Sequence, residues 1–180
     1  MSRVAQVVLL CEDLQQQVFF YRLLKRLGYS RRAIYLRAFP QGRQSAEQFV
    51  REKFAEEVHA FRNTHVSRCL VVAIDADTHA VGDRQQQLDA ELTGHGYTSR
   101  RPDEPIVIFI PKRNIETWIK YLLEGGEIDE TVAYAKYVKC ERECQPAVER
   151  FLELFTQFAI PDDCPPSLQQ GFIEAKRVPK

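Results

Sequence analysis

Three unbroken apolar runs divide the chain: Val7-Val8-Leu9-Leu10-Cys11, Cys69-Leu70-Val71-Val72-Ala73-Ile74 and Ile106-Val107-Ile108-Phe109-Ile110. Runs of this length without polar alternation predict strands buried on both faces, as in parallel α/β sheets. A more mixed stretch, residues 33–39, predicts a further strand between the first and second runs. The segments between strands carry helical spacing. From Leu14 to Leu27, Val18, Tyr21 and Leu24 share a face and Gly28 supplies the stop. Ser45 caps a helix to about Arg62, with Gln48 in the capping-box position. A polar helix runs from about Val81 to Leu92 and closes at Gly94 and Gly96, and another from Ile115 to Leu123 ends at Gly125-Gly126. The tail from Glu130 to Phe158 is predicted helical, and the Pro-rich stretch from Ile160 to Pro166 breaks it.

Strands and helices that alternate with crossovers of this length predict a three-layer α/β fold. Its sheet is mostly parallel, four-stranded and Rossmann-like, with helices on both faces and a helical C-terminal appendage. Residues 1–126 form the catalytic α/β domain in this reading, and 127–180 a helical extension packed on it.

Each long apolar run leads into acids. Glu12 and Asp13 follow the first, Asp75-Ala76-Asp77 the second, and Glu116 lies beyond Pro111-Lys112-Arg113-Asn114 after the third. Ligands of open α/β sheets bind beyond the carboxyl ends of the strands, so these acids are expected to converge. Strand-like alternation across Asp75 and Asp77 aims both carboxylates to one side. Carboxylates packed together repel unless some are protonated or a cation joins them. Mg²⁺ or Mn²⁺ takes such oxygen ligands, polarises a phosphoryl oxygen and activates water, which is the chemistry of phosphodiester hydrolysis. Each acid also has a plainer use: Glu12 or Asp13 as a helix cap, and Glu116 as a first-turn charge favoured by the helix dipole.

Cations occupy the same loops. Arg37 closes the second strand, Arg43 lies in the loop after it, and Lys112 and Arg113 precede Glu116; Lys136 lies in Tyr134-Ala-Lys-Tyr137. Arg43, Lys112, Arg113 and Lys136 are the candidate nucleic-acid contacts, with Lys112 also a candidate catalytic group. His79 could serve a metal or a proton transfer, or simply end a loop. Trp118 and Tyr121 read as packing residues. No phosphate-binding G-x-x-x-x-G-K-[ST] loop is present, nor a Ser-His-Asp or Cys-His order.

Composition narrows the partners. The chain has 180 residues, 44% hydrophobic and 28% charged, with 25 basic and 25 acidic side chains and no net charge. A nucleic acid must therefore meet a local basic patch rather than a basic protein. No apolar stretch approaches the ~20 residues of a bilayer span, and no signal-peptide pattern is seen. With five cysteines that form no disulfide framework, this predicts a cytoplasmic protein without membrane contact. Cys140 and Cys144, a C-x3-C pair on the predicted tail helix, lack the spacing and the histidines of a zinc site.

The order of strand-end Glu followed by strand-end Asp-x-Asp, over residues 5–124, resembles the Toprim fold of topoisomerases, primases, recombination proteins and overcoming-lysogenization-defect (OLD) nucleases. The resemblance implies that Glu12, Asp75 and Asp77 bind Mg²⁺. Arg113-Asn-Ile-Glu-Thr-Trp118 is similar to the downstream glutamate segment of small OLD-like proteins, which adds Glu116. Two departures stand out. Asp13 replaces the glycine that commonly follows the glutamate, and Gln15, Gln16 and Gln17 stand where an acid often lies, making Asp13 a substitute ligand. The implied activity is a Mg²⁺-dependent nuclease or phosphoesterase, on DNA above all, in prokaryotic defence. The alternative is a non-catalytic Toprim-fold module that binds a nucleotide or a partner ATPase. Homodimerisation is open in either case.

Overall fold

The structure is a computed structural model that describes residues 5–39 and 45–179. Strands β1 (Gln6–Cys11), β2 (Ile34–Leu36), β3 (Arg68–Ala73) and β4 (Ile106–Phe109) pair in parallel in the order β2-β1-β3-β4. Helices α1 (Leu14–Arg26), α2 (Ala46–Arg62), α3 (Val81–Gly94) and α4 (Ile115–Glu124) follow the strands in turn, and α5 (Gln145–Gln157) and α6 (Pro166–Ala175) complete the chain's regular structure. The three-layer Rossmann-like fold expected from the apolar runs is the fold observed.

Why the runs are unbroken is visible in the two cores. Val7, Leu9 and Cys11 of β1, Cys69, Val71 and Ala73 of β3, and Val107 and Phe109 of β4 face α1, α4, α5 and α6. Val8, Leu10, Leu70, Val72, Ile106 and Ile108 face α2 and α3 on the other side. Both alternating sets are buried, so neither tolerates a polar residue until the strand ends. The C-terminal helices belong to the first core, since Phe151, Leu168 and Phe172 pack with the sheet residues. At its centre Phe20 stacks on Phe109 at 4.5 Å, and Trp118 meets both rings edge-on at 6.3 and 6.2 Å. Trp118 Nε1 donates to Ser167 Oγ at 2.7 Å, which satisfies its buried N–H. Tyr121 is likewise a packing residue, with its hydroxyl on Asp163 at 2.8 Å.

Three local expectations change. β2 is three residues long rather than seven, because Ala33 closes a 3-10 turn from Arg31; one further bond, Arg37 N to Leu9 O at 2.9 Å, extends the pairing. Ser45 caps α2 by accepting from Gln48 N at 3.2 Å, but the Gln48 amide donates to Glu52 at 2.8 Å instead of completing a capping box. The tail is not helical from Glu130. Asp129 Oδ1 accepts from both the N–H and the hydroxyl of Thr131, a local turn that competes with helix, and Lys139 has φ 68°. Helicity begins only at a 3-10 turn, Glu141–Cys144, so Cys140 is exposed before it while Cys144 is buried in the core.

The outer edge of β4 is closed by side chains. Ile108 N donates to Glu174 Oε2 at 3.0 Å, Arg100 donates to Ile106 O at 2.8 Å, and Arg100 and Glu174 pair with each other. Thus α6 protects the edge without adding a strand.

Close approach of α6 to α4 depends on Gly171. A Cβ at that position would lie 2.5 Å from Trp118 Cη2, against a ring that is fully buried. Gly171→Ala should therefore destabilise the protein by about 1–3 kcal/mol through overpacking. Urea unfolding should show a lower midpoint with an unchanged slope; an unaltered midpoint would mean the two helices have room to separate.

Candidate functional site

The strand order reverses direction at β1. From β1 the chain crosses through α1 on one face to β2, whereas β3 leads through α3 on the other face to β4. The loops after β1 and β3 part at this point, and the crevice between them is where such folds bind ligands. Glu12 and Asp75 both stand there.

Local hydrogen bonds hold this end of β1. Asp13 caps α1, with Oδ1 accepting from Gln16 N at 2.9 Å, and Gln16 Oε1 accepts from Glu12 N at 3.0 Å. Glu12 Oε2 in turn accepts from Asp75 N at 3.0 Å, tying the end of β1 to the end of β3. On the opposite side, Arg84 Nε donates to Asp75 O at 2.9 Å, and Arg84 also contacts Glu47 and, at 3.4 Å, Asp77. Sequence reasoning passed over Arg84. Its signal was spacing: Arg84, Leu88 and Leu92 share one helical face, and all three are buried.

The acids are short of counter-charge. Asp75 is 5% exposed and its Oδ1 has no hydrogen-bond partner; Glu116 is 1% exposed, and neither of its carboxylate oxygens makes a well-formed hydrogen bond. Burial, then the charges of Glu12 and Asp13, push Asp75 well above the usual carboxylate range. The Gln16 amide is close enough to oppose this, although its Nε2 has no bond of proper geometry. Glu12 is pushed up to about 7, first by burial, against the Asp75 N–H that stabilises its charged form, and further by Asp77 and Asp13. Glu116 is raised by burial; its own backbone N–H opposes that, Asp13 adds to it, and Lys136 counteracts. Asp13, Glu116 and Lys136 meet in a pocket of about 160 Å³, where Lys136 Nζ lies 3.4 Å from Asp13 Oδ2.

Other predicted residues are placed differently. Asp77 does not continue the alternation of β3: its φ of 53° turns it out to the surface, where its carboxylate faces Arg84. Arg113, with φ 67°, forms an antiparallel backbone bridge with Asp77. Lys112 donates to the carbonyl of the exposed His79 and lines a separate cavity of about 690 Å³ between α3 and α6. Arg37 is paired with the buried Glu57 at 2.5 Å. Arg43 lies outside the described residues.

Among the described residues, no three His, Cys, Asp or Glu side chains are arranged to hold a metal ion. The donor chemistry nevertheless suits a hard cation: Asp75 and Glu116 are buried carboxylates with unpartnered oxygens, and burial, with neighbouring acids adding to it, raises the proton affinity of Asp75 and Glu12. The chain matches no known family model, no curated protein and no solved structure.

The raised Glu12 has a thermodynamic consequence. The folded chain binds this proton more tightly than the unfolded chain, so its contribution is fully present below the ordinary value of 4.5 and is lost as pH rises through about 7. In EDTA, wild-type stability should fall by on the order of 2–3 kcal/mol across that window from this group. Glu12→Gln, which keeps an acceptor for Asp75 N–H, should flatten the fall in urea titrations at pH 5 and 7.5. An equal slope in both proteins would place the raised titration elsewhere.

Proposed function

We propose that the chain is a divalent-metal-dependent phosphodiester hydrolase of the small, OLD-like Toprim type, acting on nucleic acid. One observation carries the reading. Glu12 and Asp75, from two strand ends in the order of the Toprim resemblance, are linked side chain to backbone at the switch point of the sheet, and Asp75 keeps an orphaned carboxylate oxygen. Such a pair is costly to keep ionised unless a cation sits beside it.

Glu12 and Asp75 would hold Mg²⁺ or Mn²⁺, with Asp13 and Glu116 next to them and Asp77 at the rim. The ion supplies Lewis acidity toward a phosphoryl oxygen and lowers the pKa of water. The chain's own residues then have distinct tasks. Gln16 and Asp13 fix the Glu12 backbone, and Arg84 fixes the carbonyl of Asp75. Lys136, at the edge of the acid pocket, offers positive charge to a phosphate, and Lys112 and Arg113 extend that role along the neighbouring loop. The five free thiols fit a reducing cytoplasm, and no helix among the described residues is long and apolar enough to cross a membrane. DNA is the substrate favoured by the resemblance, and defence against foreign DNA is the corresponding role.

A second reading has its own support. The absence of a three-ligand group among the described residues, and Gln15 and Gln16 in the first turn of α1, favour a Toprim-fold module that binds a nucleotide or a partner ATPase without catalysis.

Calorimetry with Mn²⁺ beside a nuclease assay separates the two. Wild type should bind Mn²⁺ and cleave. Asp75→Asn should lose cleavage by on the order of 100-fold or more while melting at or above the wild-type temperature, since it replaces a buried carboxyl whose ionisation burial opposes with a neutral amide of the same shape. Binding without turnover supports the second reading, and cleavage unchanged by Asp75→Asn defeats the first.

A further inference from the structure

Among the described residues, a second concentration of charge lies away from the acids. A groove of about 760 Å³ runs between the outer face of α1 and the edge strand β2. Its ionisable lining is Arg22, Lys25, Arg26, Arg31 and Arg142, with no acid among the lining residues, although the whole chain carries no net charge. Arg26 is paired with Glu149, and Arg22 donates to the neutral Gln145. Lys25, Arg31 and Arg142 are exposed and form no ion pair among the described residues.

Between the cations the floor is half apolar. Val18 and Tyr21 lie one helical turn before Arg22 and Lys25 and are only partly buried. An aromatic ring among cations that follow a linear path is the arrangement used by single-stranded nucleic-acid binders, in which the cations follow the backbone and the ring receives a base. The lining on α1 runs from Gln17 to Arg26, which gives that path a length of about 14 Å along the helix.

The groove also leads toward the acids. At its upper end it is lined by Gln17 and Arg142, while their near neighbours Gln15 and Glu141 line the Asp13–Glu116–Lys136 pocket. Gln15 Nε2 donates to Glu141 O at 3.2 Å, joining α1 to the 3-10 turn Glu141–Cys144, and both of these elements line both cavities. The cation groove and the acid pocket thus adjoin on the same flank of α1.

We infer that this groove is the track for a single-stranded nucleic acid whose phosphodiester backbone continues into the acid pocket. The inference rests on the phosphodiesterase reading for what happens at the end of the track, but its binding step needs no metal. An extended acidic peptide would satisfy the charges but would leave Tyr21 without a base to stack on.

Fluorescence anisotropy with a labelled oligothymidylate in EDTA at low salt tests it on the full chain. Wild type should bind. The triple variant Lys25→Glu, Arg31→Glu and Arg142→Glu should bind at least tenfold more weakly, and the same three positions changed to Gln should lower the slope of log affinity against log salt by about 2. Tyr21→Phe should bind as wild type and Tyr21→Leu several-fold more weakly. Lys53→Glu with Arg150→Glu, outside the groove, should change nothing. No wild-type binding, equal binding by the charge-reversed variant, or displacement by polyglutamate as effective as by unlabelled oligonucleotide would overturn the track. Asp75→Asn should keep this binding while losing its Mn²⁺ heat. Strand binding by a wild type that takes up no Mn²⁺ would uphold the track and defeat the hydrolase reading alone.

Discussion

Burial of β1 and β3 on both faces is the constraint from which the rest follows. With helices covering each side, every position after the half-buried openers Gln6 and Arg68 must be apolar, and past those openers no charge stands until the strand has ended. Glu12 directly follows β1, and Asp75 stands one buried residue, Ile74, past the end of β3 on the adjacent strand. The register that pairs Cys11 with Ala73 brings the two ends level, so that the Glu12 side chain reaches the backbone of Asp75. The proximity of the two acids is thus a property of the sheet as much as of the loops.

What this proximity costs is equally physical. Burial first, and neighbouring carboxylates second, raise the proton affinity of both acids, and the nearest cations offset this only in part, Arg84 lowering that of Glu12. Lys136 serves Asp13 and Glu116 from an exposed position, and Arg84 spends its hydrogen bonds on Glu47, Gln87 and the Asp75 carbonyl. Stability is sacrificed at this crevice while the surrounding cores are well packed, a distribution common at sites built for a ligand.

Much of the fold was legible because its signals are local and strong. Unbroken apolar runs located β1, β3 and β4, and Gly28 and Gly125, both at positive φ, ended α1 and α4 where expected. The tail was misread because Glu130 to Lys139 contains helix-forming residues, while a turn made by Asp129 and a left-handed Lys139 decide the backbone. At the crevice, Glu12, Asp75 and Glu116 were legible as acids that follow the ends of apolar runs. The orientation of Asp77 was not legible, since a left-handed residue after a strand overrides alternation and nothing in Asp75-Ala76-Asp77 announces it. Arg84 was missed for a different reason: an arginine on an apolar stripe reads as surface until its partners across the fold are known. The groove along α1 likewise draws Arg31 and Arg142 from distant parts of the chain, and only the packing of the 3-10 turn beside α1 brings them together.

The sealed edge of β4 bears on how the chain reaches its native state. Ile108 and Glu174 are 66 residues apart, so the outward Ile108 N–H lacks this partner until α6 has been synthesised and docked, whereas Ile106 O has Arg100 only six residues away. During that interval the nascent sheet is open at β4 to pairing with other strands. Docking of α6 adds the Glu174 carboxylate beside the Arg100 guanidinium already at that edge, two groups that cannot propagate a ladder. The width of the sheet is therefore set by a late helix acting as a terminator, which ties completion of the sheet to the arrival of a segment that contributes no strand to it.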